Sequence, residues 1–522
     1  MKRARSISWH WTMLAALGML SPGAEKRPNF TGIWKLSQSR PAQFVLIDQS
    51  ATRLRLLEFF GDHLGTFQAP IDGRPHPQTI EGRRCEFLAR WEGDALFFET
   101  KQPAGEGGGV ADVRHLARLG KDGMVLSVKR VSVTPRPATA MQKWMRQDAP
   151  AGAASDTGFD YRRRLEKTGA ELSGEEAHRV RGAVACAFND VAAAERELLP
   201  LVNQRPPSPY REEARQGLWE TYVVNGMMKQ ALPYTTARNR GFYAELARRP
   251  EMQVRHRAPA HIRVTRDSEG RLLLPVSLGG KDAHYMMDTG SNNSLMKQSE
   301  AQRLGLKVER VRQWITDGNV NFASLLAVAP ELTMGETRLA NAPFWVVPDS
   351  RIEWPGVNAI IGLDILLKFE TLRWNSDGEG ETGFPGGEKN IHQANLCLWR
   401  EYPLLEFSAY GKNQMALFLD TGNNLTQFYP SFAARNMELL ADGGTRSVDE
   451  WHAHGAKGEF VQMTVPEIKL NVAGTDGRIA PANVLLEWPH LPRQFHGTLG
   501  VDMLNAAKSV TLDLKAMRLT AE

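Results

Sequence analysis

The sequence predicts a multidomain, mainly β protein with a small N-terminal β-barrel, a central helical hairpin or repeat segment, and a C-terminal bilobal all-β fold. Three observations predict it. The chain has 522 residues, more than one hydrophobic core organises at roughly 100 to 200 residues per domain. Strand-like alternation fills two stretches, Phe30 to Val133 and Ile262 onward, with helical spacing between them. In the second stretch two apolar strands end in the same triplet, Asp-Thr-Gly, at 288–290 and at 420–422. The expected divisions are a leader at 1–24, a β-domain at 28–135, a helical linker module at 160–250, and two lobes at 260–390 and 391–522.

Composition bounds the function classes. Apolar residues make up 42% and charged residues 24%, the balance of a folded globular chain. The net charge of +5 is small for this length, and basic residues are interleaved with acidic ones from Arg162 to Glu176, so no nucleic-acid partner is expected. Cys85, Cys186 and Cys397 are too far apart for a metal-ligand motif and are expected to be free thiols, so neither metal nor cofactor is expected.

At the N-terminus, Lys2, Arg3 and Arg5 precede an apolar stretch from Trp11 to Leu20 and small or turn-forming residues from Ser21 to Ala24. That layout predicts a signal peptide and export to a periplasmic or extracellular location. No later stretch has the ~18 to 20 apolar residues that span a bilayer, so the mature chain should carry no integral membrane segment.

The β-domain reads as strands at Gly32 to Leu36, Phe44 to Ile47, Leu54 to Phe60, Cys85 to Trp91, Ala95 to Thr100 and Met124 to Val131. Turn signals such as Gly93-Asp94 and Lys121-Asp122-Gly123 separate them, and Gly105 to Gly109 reads as a flexible loop. Its opening, Asn29-Phe30-Thr31-Gly32-Ile33-Trp34, resembles the first strand of lipocalin-like barrels; a structural or docking role is favoured over ligand binding. Ala149 to Gly158 reads as a linker. Helical spacing follows in Ala183, Ala187, Val191, Leu198 and Val202, and resumes beyond Pro206-Pro207-Ser208-Pro209 in Ala214 to Leu232.

The last half repeats itself. Tyr285-Met286-Met287-Asp288-Thr289-Gly290-Ser291 has a counterpart in Leu417-Phe418-Leu419-Asp420-Thr421-Gly422-Asn423. Each is followed by Gly-x-Asp-x-Leu, at Gly362 to Leu366 and at Gly500 to Leu504. The intervals from aspartate to glycine are 74 and 80 residues. Two motifs recurring in one order at near-equal spacing indicate two copies of one unit.

At these residues the chain resembles the retropepsin and pepsin families of aspartic proteases. The resemblance implies that each lobe supplies half of one site, that Asp288 and Asp420 form the catalytic pair, and that Thr289, Gly290, Ser291, Thr421, Gly422 and Asn423 support the two loops. It implies an endopeptidase acting on a peptide or protein substrate as a monomer with pseudo-twofold lobes. Two carboxylates held close cannot both ionise easily and titrate as a coupled pair. The ionised member takes a proton from water while the protonated member stabilises the oxyanion. Gly290 and Gly422 permit a tight backbone, and Thr289 and Thr421 are expected to bridge the loops. Asn423 stands where a hydroxyl residue commonly follows the triplet, and its amide could donate to the carboxylate. Asp364 and Asp502 are expected to cap short helices, and Trp354 and Trp488 to pack beneath the Gly-x-Asp-x-Leu segments. His452 and His454 read as a solvated loop. Flap candidates are Trp314 to Val320 and Trp451 to Phe460. The alternatives are a noncatalytic peptide-binding or scaffold protein keeping the bilobal fold, and a carrier whose ligand sits in the N-terminal barrel.

Overall fold

Residues contact one another mainly within two units of the chain, Met1–Arg146 and Gln147–Glu522. The structure, a computed structural model, describes residues 27–37, 43–60, 63–80, 83–104, 109–120, 123–132, 138–147, 156–169, 171–317, 320–443, 445–453, 456–472, 474–486 and 495–522. The leader at 1–24, most of the Gly105 to Gly109 loop, most of the Ala149 to Gly158 linker, His454 and Trp488 lie outside the described residues.

The described residues of the first unit form a ten-stranded antiparallel sheet in which sequential strands pair except at one seam, and the first, Gly32–Leu36, also pairs with the last, Ala138–Arg146. The seam lies between His63–Pro70 and His76–Ile80, where Gln78 accepts from Gln68 N–H at 3.0 Å and donates to the Gln68 carbonyl. The sheet is therefore barrel-like. Its interior holds Phe30, Trp34, Ile47, Leu56 and Phe87, and Trp34 Nε1 donates to the Phe30 carbonyl at 2.9 Å. The sheet runs past the boundary expected at 135. Four strands that the alternation did not signal complete it: His63–Pro70, His76–Ile80, Gly109–Gly120 and Ala138–Arg146. The last of these carries Met141 outward at 69% exposure, so its apolar pattern does not follow the buried face.

In the second unit, helices Gly158–Thr168, Gly174–Ala187, Val191–Asn203, Arg211–Val224, Met228–Ala231 and Arg240–Leu246 fill the central segment, more pieces than a single hairpin. A capping box between Thr157 and Asp160 starts the first. A Cβ on Gly182 would overlap the Leu198 side chain, so the bare glycine lets the second and third helices pack closely. Phe242, Tyr243 and Leu246 then join Met286, Leu326, Trp345 and Ile360 in one apolar cluster, so the helices share a core with the strands that lead to Asp288. Arg162 anchors the opposite end, donating to the carbonyls of Ile391 and Ala394 and pairing with Glu406 at 2.6 Å.

The strands form three further sheets. In one, Lys281–Met287 runs parallel to Ala359–Ile361, which pairs antiparallel with Leu295–Lys297 on its other side. In another, Lys412–Leu419 runs parallel to Gly497–Leu499, which pairs antiparallel with Gln427–Phe428. A five-stranded sheet joins the two halves through Thr371–Asn375 against Ser509–Asp513. Among the described residues, no helix is long and apolar enough to cross a membrane.

Candidate active site

Each Asp-Thr-Gly follows a strand with one antiparallel and one parallel neighbour, and bonding to the parallel one continues to the aspartate itself. Asp288 N–H donates to the Ile361 carbonyl at 3.0 Å, and Asp420 N–H to the Leu499 carbonyl at 3.0 Å. Asp288 Oδ1 accepts from Gly290 N–H at 2.9 Å and from Ser291 N–H at 3.1 Å. Asp420 Oδ1 accepts from Gly422 N–H at 3.1 Å. Backbone N–H donors of this kind favour the charged carboxylate and fix its direction.

The two loops, 132 residues apart, meet face to face. Thr289 N–H donates to Thr421 Oγ1 at 3.0 Å, and Thr421 N–H donates to Thr289 Oγ1 at 3.1 Å. Each hydroxyl also donates across, Thr289 to the Leu419 carbonyl at 2.7 Å and Thr421 to the Met287 carbonyl at 3.0 Å. Both threonines are essentially fully buried, so all four bonds are shielded from water. The glycines set the approach. A Cβ on Gly290 would lie 2.5 Å from Asp420 Oδ1, and one on Gly422 would lie 2.5 Å from Asp288 Cγ. Each carboxylate therefore rests against the bare backbone of the opposite loop, a contact that only glycine permits.

A second layer holds the loops from behind. Ser294 Oγ donates to Asp364 Oδ1 at 2.7 Å and accepts from Gly362 N–H at 2.9 Å. Thr426 Oγ1 donates to Asp502 Oδ1 at 2.6 Å and accepts from Gly500 N–H at 3.0 Å. Asp364 and Asp502 also accept from the N–H of the residue that follows each, in the first turn of the helices Leu363–Phe369 and Val501–Asn505. Burial pushes the Asp364 carboxyl up to about 6 against the pull of Ser294. Gly362 and Gly500 are as constrained as the loop glycines: a Cβ would meet backbone of Asn293 and of Leu425 at 2.6 Å.

Ser291 Oγ donates to the Asn293 carbonyl at 2.7 Å. Asn423 Oδ1 accepts from Leu425 N–H at 3.2 Å, closing a side-chain turn. Spacing alone did not single out Tyr429. Burial raises its hydroxyl, Asp420 adds to the rise, and it is hydrogen-bonded to Thr498 on the strand beside Asp420. The described residues of the flap candidates lie in two antiparallel strand pairs, where Asp317 faces Val320 and Ala453 faces Ala456; residues 318–319 and 454–455 lie outside the described residues. Trp354 lies under the Arg271 guanidinium at 4.9 Å.

Comparison with known proteins gives one family match. Residues 274–365 match the model of the aspartyl protease family, a span that holds Asp288, Gly290, Gly362 and Asp364 and that supports an aspartic protease. A retropepsin-like aspartic protease from Rickettsia conorii, known from a crystal structure, is 18% identical over 25% of this chain and 92% of its own, with a TM-score of 0.19. No curated protein matches the chain.

Proposed function

We propose that the chain is an aspartic endopeptidase in which Asp288 and Asp420 share one proton and activate one water. The observation that carries this is the reciprocal packing of each carboxylate against the other loop's glycine, with each threonine hydroxyl bonded across. Two carboxyls presented by a rigid, buried frame divide the acid and base roles without covalent catalysis. The ionised member draws the proton from a water lodged between them. The hydroxide attacks the peptide carbonyl, the neutral member stabilises the oxyanion, and the amine leaves with a proton returned from the pair.

The finer assignments belong to the same proposal. The halves at 260–390 and 391–522 act as pseudo-twofold lobes of one monomer, and the hairpins at Trp314 to Val320 and Trp451 to Phe460 serve as flaps over an extended peptide. The N-terminal sheet is a lipocalin-like structural or docking domain, in keeping with an interior filled by Phe30, Trp34 and Phe87. The leader at 1–24 directs export. The test is incubation of the purified chain with a mixed peptide library from about pH 3 to 7, with and without a statine-type inhibitor. Cleavage blocked by the inhibitor supports the enzyme. A folded chain that cleaves nothing but binds peptides supports a scaffold that keeps the bilobal fold.

A further inference from the structure

Both Asp-Thr-Gly loops carry an asparagine four residues after the aspartate, Asn292 and Asn424. Asn292 Nδ2 donates to Glu401 Oε2 at 3.2 Å, and Asn424 Nδ2 donates to Glu269 Oε2 at 2.9 Å. Glu269 lies nineteen residues before Asp288, and Glu401 nineteen before Asp420. Each glutamate therefore stands just ahead of the strand pair that leads to its own aspartate and reaches the loop of the other aspartate. The two ties are equivalent in position and opposite in environment. Glu269 is half exposed and paired with Arg271 at 3.1 Å. Glu401 Oε1 is buried with no hydrogen-bond partner among the described residues, and so is Asn292 Oδ1.

The backbone at Glu401 is strained toward this position. Arg400 and Glu401 form the two-residue turn between Leu396–Trp399 and Tyr402–Ala409, with φ of 48° and 70°. Such turns need positive φ at both central positions and ordinarily take Asn and Gly there. Side chains as large as Arg and Glu adopt that conformation only where the surroundings over-determine it, and such strain clusters at functional sites.

We propose that Glu401 is a positioning residue for the Asp288 loop, and that the Asn292–Glu401 tie is the pH-sensitive member of two reciprocal clamps between the halves. This rests on the endopeptidase reading for its effect on rate, but not for its effect on the loop. The groups that face Glu401 account for the sensitivity. Glu220, on the helix Arg211–Val224, repels its charge, and burial acts in the same direction and more strongly, so the carboxyl is pushed up to about 8. Glu220 is itself raised by burial, opposed by Gln216 and by Arg400. Tyr243, on the helix Arg240–Leu246, is raised by burial and then by Glu401. No cation bonds the buried oxygen among the described residues. Below its pKa the neutral carboxyl keeps the Asn292 bond at no electrostatic cost. Above it, the new charge is driven toward water and Asn292 is released.

The test is hydrogen exchange of peptides covering Asp288 to Ser294 in the full chain, divided by the intrinsic rate, from about pH 6 to 9.5, in the parent, Glu401→Gln and Glu401→Ala. The parent should lose roughly tenfold of its protection as the pH passes about 8; Glu401→Gln, a neutral isostere, should keep it, and Glu401→Ala should lack it throughout. Peptide cleavage followed in parallel should show kcat reduced by about tenfold in Glu401→Ala with KM little changed, and an alkaline limb moved upward in Glu401→Gln. Exchange that shows no step in the parent, or a Glu401→Gln that tracks the parent across the step, overturns the clamp. A step in exchange without any peptide cleavage keeps the clamp and removes the endopeptidase.

Discussion

At the scale of single residues, the site depends on groups that cannot be exchanged for near relatives. Thr289 and Thr421 each donate and accept across the boundary between the loops. Replacing either by alanine leaves a buried N–H and a buried carbonyl without their partners, at about 1 to 3 kcal/mol per orphaned group. Thr289→Ala and Thr421→Ala should each lower the urea-unfolding free energy of the second unit by about 3 kcal/mol, and the double variant by less than the sum, because both act on one network. Asp364 tests a different property. Its carboxyl is pushed up to about 6 from 3.8 by burial, so the folded chain holds a proton that the unfolded chain has lost. Stability must then fall as pH rises from about 4 to 6. Asp364→Asn keeps an acceptor for Ser294 Oγ and removes the titration. Its unfolding free energy relative to the parent should improve across that window, as read from denaturant midpoints at several pH values.

At the scale of elements, the central feature is a parallel strand behind each aspartate. His496 sits at the foot of the second one, Gly497–Leu499, and its Nδ1 accepts from Ala416 N–H at 3.2 Å. Burial, with Arg435 second, holds this imidazole down at about 3, so it is neutral in the fold. The sign is opposite to that of Asp364. The stability it contributes is complete above about 6.5 and is lost as pH falls toward 3, because the unfolded chain takes up a proton that the folded one resists. His496→Gln retains an acceptor for Ala416 N–H and should flatten that acid loss, seen as a smaller drop in melting temperature between neutral and acid buffers. The same scale shows what the sequence made legible. Lys281–Met287 and Lys412–Leu419 end in apolar runs and a shared triplet, so their ends were readable. His76–Ile80 was not, because Pro77 and polar neighbours mark an edge strand without an apolar stripe. The Asn292–Glu401 tie spans 109 positions and a turn that lacks glycine, so no local signal announced it, although the paired nineteen-residue offset is present in the sequence.

At the scale of the molecule, Gln147–Glu522 gathers the helices and both Asp-Thr-Gly loops into one unit. The helices share a core with the strand that precedes Asp288 and are tied through Arg162 to residues ahead of Asp420. One chain thus brings together two carboxylates that neither half presents alone, and the proposed mechanism requires them to act as one. The most direct measurement is the cleavage rate of a single fluorogenic peptide by the parent, Asp288→Asn and Asp420→Asn, each confirmed folded by the same melting transition. A shared pair predicts that both single variants lose at least ~10³-fold in kcat/KM, and that the double variant loses little more, as for catalytic groups that work as a unit. Substantial cleavage remaining in either single variant would contradict it.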